Sequence, residues 1–212
     1  MLLSKSMNVA IAMLIAGSLS AGWGPGGRKG SGDAGQTEAI TSQDAAWLSH
    51  LREEEKVARD VYDALYQTWG MTSFDNISSA EQHHMDAVLQ RILAYGLVDP
   101  AQPQPGVFTD AGLQQLYDTL VGQGRQSQLD ALMTGALIEE VDMQDLDEMT
   151  AATSNPALID LYGKLHCGSR NHLRAFVRQI ENRGLVYAAQ VLSQEAVDQI
   201  VDTPMERRCG AR

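Results

Sequence analysis

The sequence predicts an all-α protein: a bundle of four long helices with one long crossover connection and short extra helices. Three observations lead there. The 212 residues are 44% hydrophobic but only 6% aromatic, which is enough for a packed core yet poor in the residues that strands favour. Helix breakers are concentrated in one place, because Pro totals 6 and seven of the 19 Gly lie between Gly22 and Gly35. Beyond that stretch, apolar residues recur in three- and four-residue steps, the signature of amphipathic helices.

The chain divides into four segments. Residues 1–21 read as a signal peptide, with Lys5 as the positive region, Met7 to Ala16 as the apolar run and Ser18-Leu19-Ser20-Ala21 as the cleavage region. The apolar run is too short for a membrane span of ~20 residues, so the mature protein is expected to be periplasmic or secreted, without a stable membrane span. Residues 22–41 form a Gly-rich linker, 42–202 the helical domain and 203–212 a C-terminal tail. Lys plus Arg number 16 against 27 Asp plus Glu, a formal charge of −11, which excludes a general polyanion binder and makes nucleic acid an unsuitable partner. Cys167 and Cys209 are the two cysteines, too few for a Cys-rich zinc or iron–sulfur site. They either pair in an oxidising compartment or remain unrelated thiols.

The first helix carries Leu48, Leu51, Glu55, Ala58, Tyr62, Leu65 and Trp69 on one stripe, with a capping box at Thr41 and Asp44 and a stop at Gly70. The second runs from about Ser78 to Tyr95 with Ile77, Glu81, His84, Val88, Ile92 and Tyr95 on one face, ending at Gly96. Thr109 to Val121 forms a short helix within the crossover. The third long helix, Gln128 to Met149, has two phases: one places Leu132, Ala136, Glu139 and Met143 inward, the other Met133, Ala136, Glu140 and Met143. The fourth, about Ala157 to Arg183, buries Leu158, Leu165, Ser169, His172, Phe176 and Ile180. Ser193 caps a last short helix through about Val201. Ala80–Leu97 also aligns without gaps on Gly168–Leu185, pairing His84 with His172, the pattern of an internal duplication.

Titratable groups interrupt these apolar stripes. An unpaired buried carboxylate costs several kcal/mol, so Glu55, Glu81 and a Glu of the third helix need a neutralising partner. A divalent metal supplies one, and carboxylate with imidazole suits iron, manganese or zinc. Glu81 and His84 form a Glu-x-x-His step that places both on one helical face. The candidate metal ligands are Glu55, Glu81, His84, Glu139 or Glu140, His172, and Asp142 as a further acid. Each has a plainer alternative: Ser78–Glu81 also fits a capping box, and His84 and His172 also fit hydrogen-bonded core histidines. Glu53 and Glu54 read as a solvated face, His83 as outer or exposed, and His50 and His166 as surface or packing residues. Arg59, Arg170, Asn171 and Arg174 lie within a turn of the candidate ligands and could donate to them, with salt bridging to the surface favoured for Arg174.

Four segments carry a family resemblance: Leu51–Tyr62 (LREEEKVARDVY), Ala80–Val88 (AEQHHMDAV), Gly135–Leu146 (GALIEEVDMQDL) and Gly168–Phe176 (GSRNHLRAF). Together they resemble the DUF2202 family of ferritin-like proteins, over about Ser42 to Ile200. Glu55–Tyr62 is also similar to the first helix of rubrerythrin-like di-iron domains, which implies a metal-binding Glu55. The resemblance implies ligands at Glu55, Glu81, His84, Glu139 or Glu140, and His172. Ser169 stands where that pattern has a Glu, so a mononuclear or asymmetric site is an alternative to a di-iron centre unless Asp142 substitutes.

Two functions follow as expectations. One is an exported metal-binding bundle with iron, or manganese, at a carboxylate–histidine site, open to redox or oxygen and peroxide chemistry, with Tyr62 or Tyr95 as nearby phenols. The alternative is a non-catalytic ferritin-like bundle acting in partner binding or envelope stress. A metal ion is the expected partner, and a homodimer the expected assembly if the protein oligomerises. No nucleophile elbow or His-Glu-x-x-His run points to a hydrolase.

Overall fold

A computed structural model describes residues 40–207 and Cys209; the expected signal peptide and most of the linker lie outside the described residues. Among the described residues there are six helices: α1 Ser42–Trp69, α2 Thr72–Ala94, α3 Ala111–Gly124, α4 Gln128–Ala152, α5 Pro156–Glu181 and α6 Gln194–Val201. There are no strands among the described residues. The four long helices form the bundle. α1 pairs with α2 and α4 with α5, α1 touches α4 and α2 touches α5, while α3 lies against α1 and α4 and α6 against α5. No helix among the described residues is long and apolar enough to cross a membrane.

Local chemistry sets the helix ends. Thr41 accepts from the Asp44 N–H while Asp44 accepts from Thr41 N–H, the reciprocal box expected from the sequence. Gly70 closes α1 at φ 64°, a left-handed conformation open to glycine. α2 then begins at Thr72, earlier than the Ser78 expected from capping logic. Ser78 lies inside the helix, and its hydroxyl donates to Asp63 of α1. Thr72 to Asn76 are poor helix formers, but Phe74 is fully buried between Tyr62 and Phe176, and packing overrides propensity. Asp110 caps α3, Asn155 caps α5 ahead of Pro156, and Ser193 caps α6.

Two apolar clusters fill the bundle. One contains Val61, Tyr62, Leu65, Phe74, Leu132, Ala136, Phe176 and Ile180; the other contains Leu48, Leu51, Val88, Ile92, Leu146, Leu158, Tyr162 and Leu165. On α1, α2 and α5 the candidate ligands fall in the gap between them, and on α4 Glu139 and Asp142 lie among Ile138, Val141 and Met143 at the edge of the first cluster. The core is therefore cut across by a polar layer.

The outer face of α1 is not solvated as its charges suggest. Lys56 is fully buried and donates to Asp60 (2.5 Å) and to the carbonyls of Gln104 and Val107. Asp60 accepts from Gly106 N–H, Glu53 accepts from Thr109 N–H (2.6 Å), and Arg52 pairs with Asp99. The crossover is draped over this face, and its backbone groups require partners. The tail is also held: Glu206 pairs with Arg170 and Arg174, and Cys209 is disulfide-bonded to Cys167. Arg170 and Arg174 thus clasp the tail instead of reaching the candidate ligands, Asn171 binds the Glu206 backbone, and Arg59 pairs with Asp60 and Gln82. The disulfide spans 42 residues, so Cys209→Ser should lower unfolding free energy by about 2–4 kcal/mol, and reductant should do the same to the unmodified chain, both read from denaturant titration.

Candidate metal centre

Each bundle helix delivers at least one donor to the polar layer. Glu55 comes from α1, Glu81 and His84 from α2, Glu139 from α4 and His172 from α5, and the four acids and imidazoles other than His84 are buried. Glu81 lies at the middle. Its Oε2 is 2.7 Å from His84 Nδ1 and its Oε1 is 2.8 Å from His172 Nδ1. Glu55 Oε2 stands 3.3 Å from His84 Nδ1, and Glu139 Oε2 stands 3.5 Å from His172 Nδ1. Two triads result, Glu55–Glu81–His84 and Glu81–Glu139–His172, each with donor atoms within 4.8 Å of one another and sharing Glu81.

These distances fit a coordination shell. Donors about 2.1 Å from a metal stand about 3.0 Å apart along an octahedral edge and about 3.4 Å apart along a tetrahedral one. Hydrogen bonding leaves part of the set unsatisfied. His172 Nδ1 has no partner in hydrogen-bond geometry despite its short contacts, and Glu55 Oε1 is buried with none. Buried polar atoms are nearly always paired, and these two unpaired atoms lie inside the two triads.

Electrostatics show how costly it is to bury so many acids together. Burial pushes the Glu55 carboxyl up to about 7, even with His84 beside it. Burial also raises Glu139, against the opposing pull of His172, and lifts Asp142 well up, reinforced by Glu55 and Glu139. Glu81 is held low despite its burial, because His172 and His84 face it. Desolvation opposes charge on His172, but Glu81 and Glu139 raise it to about 10.

Neighbouring hydroxyls hold two of the acids in place. The Tyr62 hydroxyl donates to Glu139 Oε1 at 2.5 Å; Tyr95 bonds Asn155 instead, away from the layer. Ser169 donates to Asp142, and this pair stands beside the triads, with Asp142 in neither. Asp142, Glu54, Glu55, Glu81 and Glu139 line one cavity of about 30 Å³ under Leu116 and Leu120 of α3. On the other side, an open groove of about 550 Å³ between α2 and α5 reaches His172. Gly168 keeps room for His84, since a Cβ there would lie 2.5 Å from the imidazole Nε2.

The structure resolves the two phases of α4 by burying both acids. Of the two alternative acids, Glu139 turns to the layer, whereas Glu140 faces away from it. Its carboxylate accepts from Tyr187 OH and from the N–H groups of Gln190, Val191 and Leu192, so it anchors the loop before α6. Glu53 and Glu54, expected on a solvated face, are buried. His83 is exposed as expected. The grouping of Glu54 with His50 and Asp145 escapes sequence reading, because Asp145 is remote in the chain and no periodic stripe joins it to α1.

Fold and site together define a class: an all-helical bundle with a buried carboxylate–histidine cluster. Residues 44–204 match the family model described as an uncharacterised protein domain, DUF2202, and the chain belongs to that family. It is similar to an uncharacterised protein, MJ0754, of Methanocaldococcus jannaschii, with 41% identity over 171 residues covering 80% of this chain and 92% of the relative. The crystal structure of the hypothetical protein MJ0754 from Methanococcus jannaschii superposes with a TM-score of 0.79 at 39% identity, covering 82% of this chain and 100% of that one.

Two predictions follow from this geometry. Gly168→Ala should displace His84 and weaken divalent-metal binding by roughly 10–100-fold, measured by calorimetric titration, with the helical circular dichroism retained. The pH response of the metal-free protein follows from two raised groups, Glu55 at about 7 and His172 at about 10, against unfolded values of about 4.3 and 6.5. A raised folded value adds stability that is complete below the unfolded value and is lost as pH rises through the folded one. The melting temperature of metal-free protein should therefore fall from about pH 4.3 to about pH 10. The increment from added metal should grow over the same range, because ligation needs deprotonated donors.

Proposed function

We propose that this is an exported ferritin-like metal-binding protein whose buried layer would hold two divalent ions, iron or manganese, on two donor triads that have Glu81 in common. The observation that carries the reading is the pair of orphaned buried atoms, His172 Nδ1 and Glu55 Oε1, inside two triads that share one carboxylate. Glu55 and His84 would hold one ion, Glu139 and His172 the other. Asp142 stands close enough to Glu55 and Glu139 for their charges to raise its pKa, and Ser169 donates to it. Oxygen-plus-imidazole donors with an open position suit iron or manganese, and such metals supply redox and oxygen or peroxide chemistry when bound.

The chain's own residues supply the rest. Tyr62 orients Glu139 and keeps its proton, because burial and the neighbouring Glu139 raise its pKa well above the ordinary value. The apolar clusters on both sides exclude bulk water from the layer, which strengthens every charge interaction there. The groove at His172 gives a small molecule a way in. Export is supported by the leading sequence segment and agrees with the Cys167–Cys209 bond, a feature of oxidising compartments.

The competing reading is a bundle without chemistry, acting in partner binding or envelope stress, and the His84 and His172 contacts with Glu81 favour it, because imidazolium groups neutralise part of the layer internally. Metal titration separates the two. Metal-free protein given Fe²⁺ without oxygen, or Mn²⁺, should bind about two ions at the layer and gain melting temperature as any ligand of the native state does. His84→Ala with His172→Ala should abolish that uptake, whereas Glu140→Gln should retain it. Equal uptake by the unaltered chain and the double variant would sink the proposal.

A further inference from the structure

A second set of donors lies outside the central layer. His50 and Glu54, one turn apart on α1, and Asp145 on α4 each bring a donor atom within 4.8 Å of the others. Glu54 is only 8% exposed. Its Oε2 and the Asp145 Oδ2 are both shielded from solvent without a hydrogen-bond partner. Among the described residues the ion pairs of Lys and Arg are made with Asp60, Asp99, Asp160 and Glu206, and neither of these two acids receives one. Two carboxylates face each other with an imidazole beside them, and apart from a proton shared between the two acids nothing in the fold donates to their inner oxygens.

The contrast with other buried acids is informative. Glu53 accepts a backbone N–H, Asp60 takes Lys56, Arg59 and Gly106 N–H, and Glu140 collects three N–H groups and a phenol. Those acids are satisfied by the fold. Glu54 is not, and an unpaired buried carboxylate is costly.

We propose that His50, Glu54 and Asp145 hold a further divalent cation, of the first-row transition-metal class that mixed imidazole and carboxylate donors suit, in a site separate from the central triads. Glu54 is the inner ligand. His50 and Asp145 are partly exposed, so water completes the shell. The site shares no donor with the central cluster, although Glu54 borders the cavity that Glu55 and Glu81 also line.

Zinc, redox-inert and suited to these donors, is the probe. Metal-free full-length protein is dialysed to equilibrium against Zn²⁺ and bound metal is counted per chain. In the His84→Ala, His172→Ala background one zinc ion should remain, and adding Glu54→Gln should remove it; His50→Ala should do the same. Glu54→Gln keeps the volume and takes away a buried charge, so folding should persist, as circular dichroism will verify. In the otherwise unaltered chain Glu54→Gln should remove one ion and leave the central uptake intact. The proposal is overturned if the double-histidine background binds no zinc, or if Glu54→Gln leaves its zinc in place, the result expected when Glu54 and Asp145 merely share a proton. If the central reading alone fails, the unaltered chain and the double-histidine variant bind one zinc each, and Glu54→Gln still removes it.

Discussion

Four helices bring Glu55, Glu81, Glu139, Asp142 and His172 into a layer shut off from water, with His84 at its margin, and the cost of burying that much charge constrains everything built around it. Carboxylates outnumber imidazoles there. Burial drives Glu55, Glu139 and Asp142 towards their neutral forms, while Glu81 stays ionised only because two histidines flank it. A bundle serving stability alone would fill this gap with Leu or Ile, as it does in the clusters on both sides. Keeping titratable groups here is intelligible as a cradle for cations.

Hydrogen-bond completeness separates the acids that build the fold from those that form sites. Glu140, Asp60, Glu53 and Glu206 each accept from N–H groups or cations of the chain, and each ties a loop or the tail to a helix. Glu55 and Glu54 retain buried oxygens with no donor. The first kind neutralises its own burial with N–H groups and cations already in the chain. The second has no N–H group or cation of the chain at those oxygens.

The layer is also mechanically set. Ser169 and Tyr62 reach in to hold Asp142 and Glu139, and Gly168 removes the one side-chain atom that would collide with His84. Two short hairpins, α1 with α2 and α4 with α5, place the shared Glu81 opposite His172, so the weak internal similarity between α2 and α5 corresponds to two imidazoles facing one carboxylate, with ring centroids 5.6 Å apart.

Helical class, helix number, the capping box of α1 and the inward stripes of α1, α2 and α5 were legible in the sequence, because helical periodicity and caps are local properties. So were Glu55, Glu81, His84 and His172, which interrupt those stripes. The true start of α2 was hidden, since Phe74 recruits its first turn through distant partners. The roles of Glu139 and Glu140 were undecided, since two adjacent acids can each face a different neighbour. Tertiary structure alone assigned Glu139 to the layer and Glu140 to the C-terminal loop, buried the charged face of α1 beneath the crossover, and joined Asp145 to His50 and Glu54. In each case the deciding partner lies on another element, and no spacing along one helix encodes what will be packed against it.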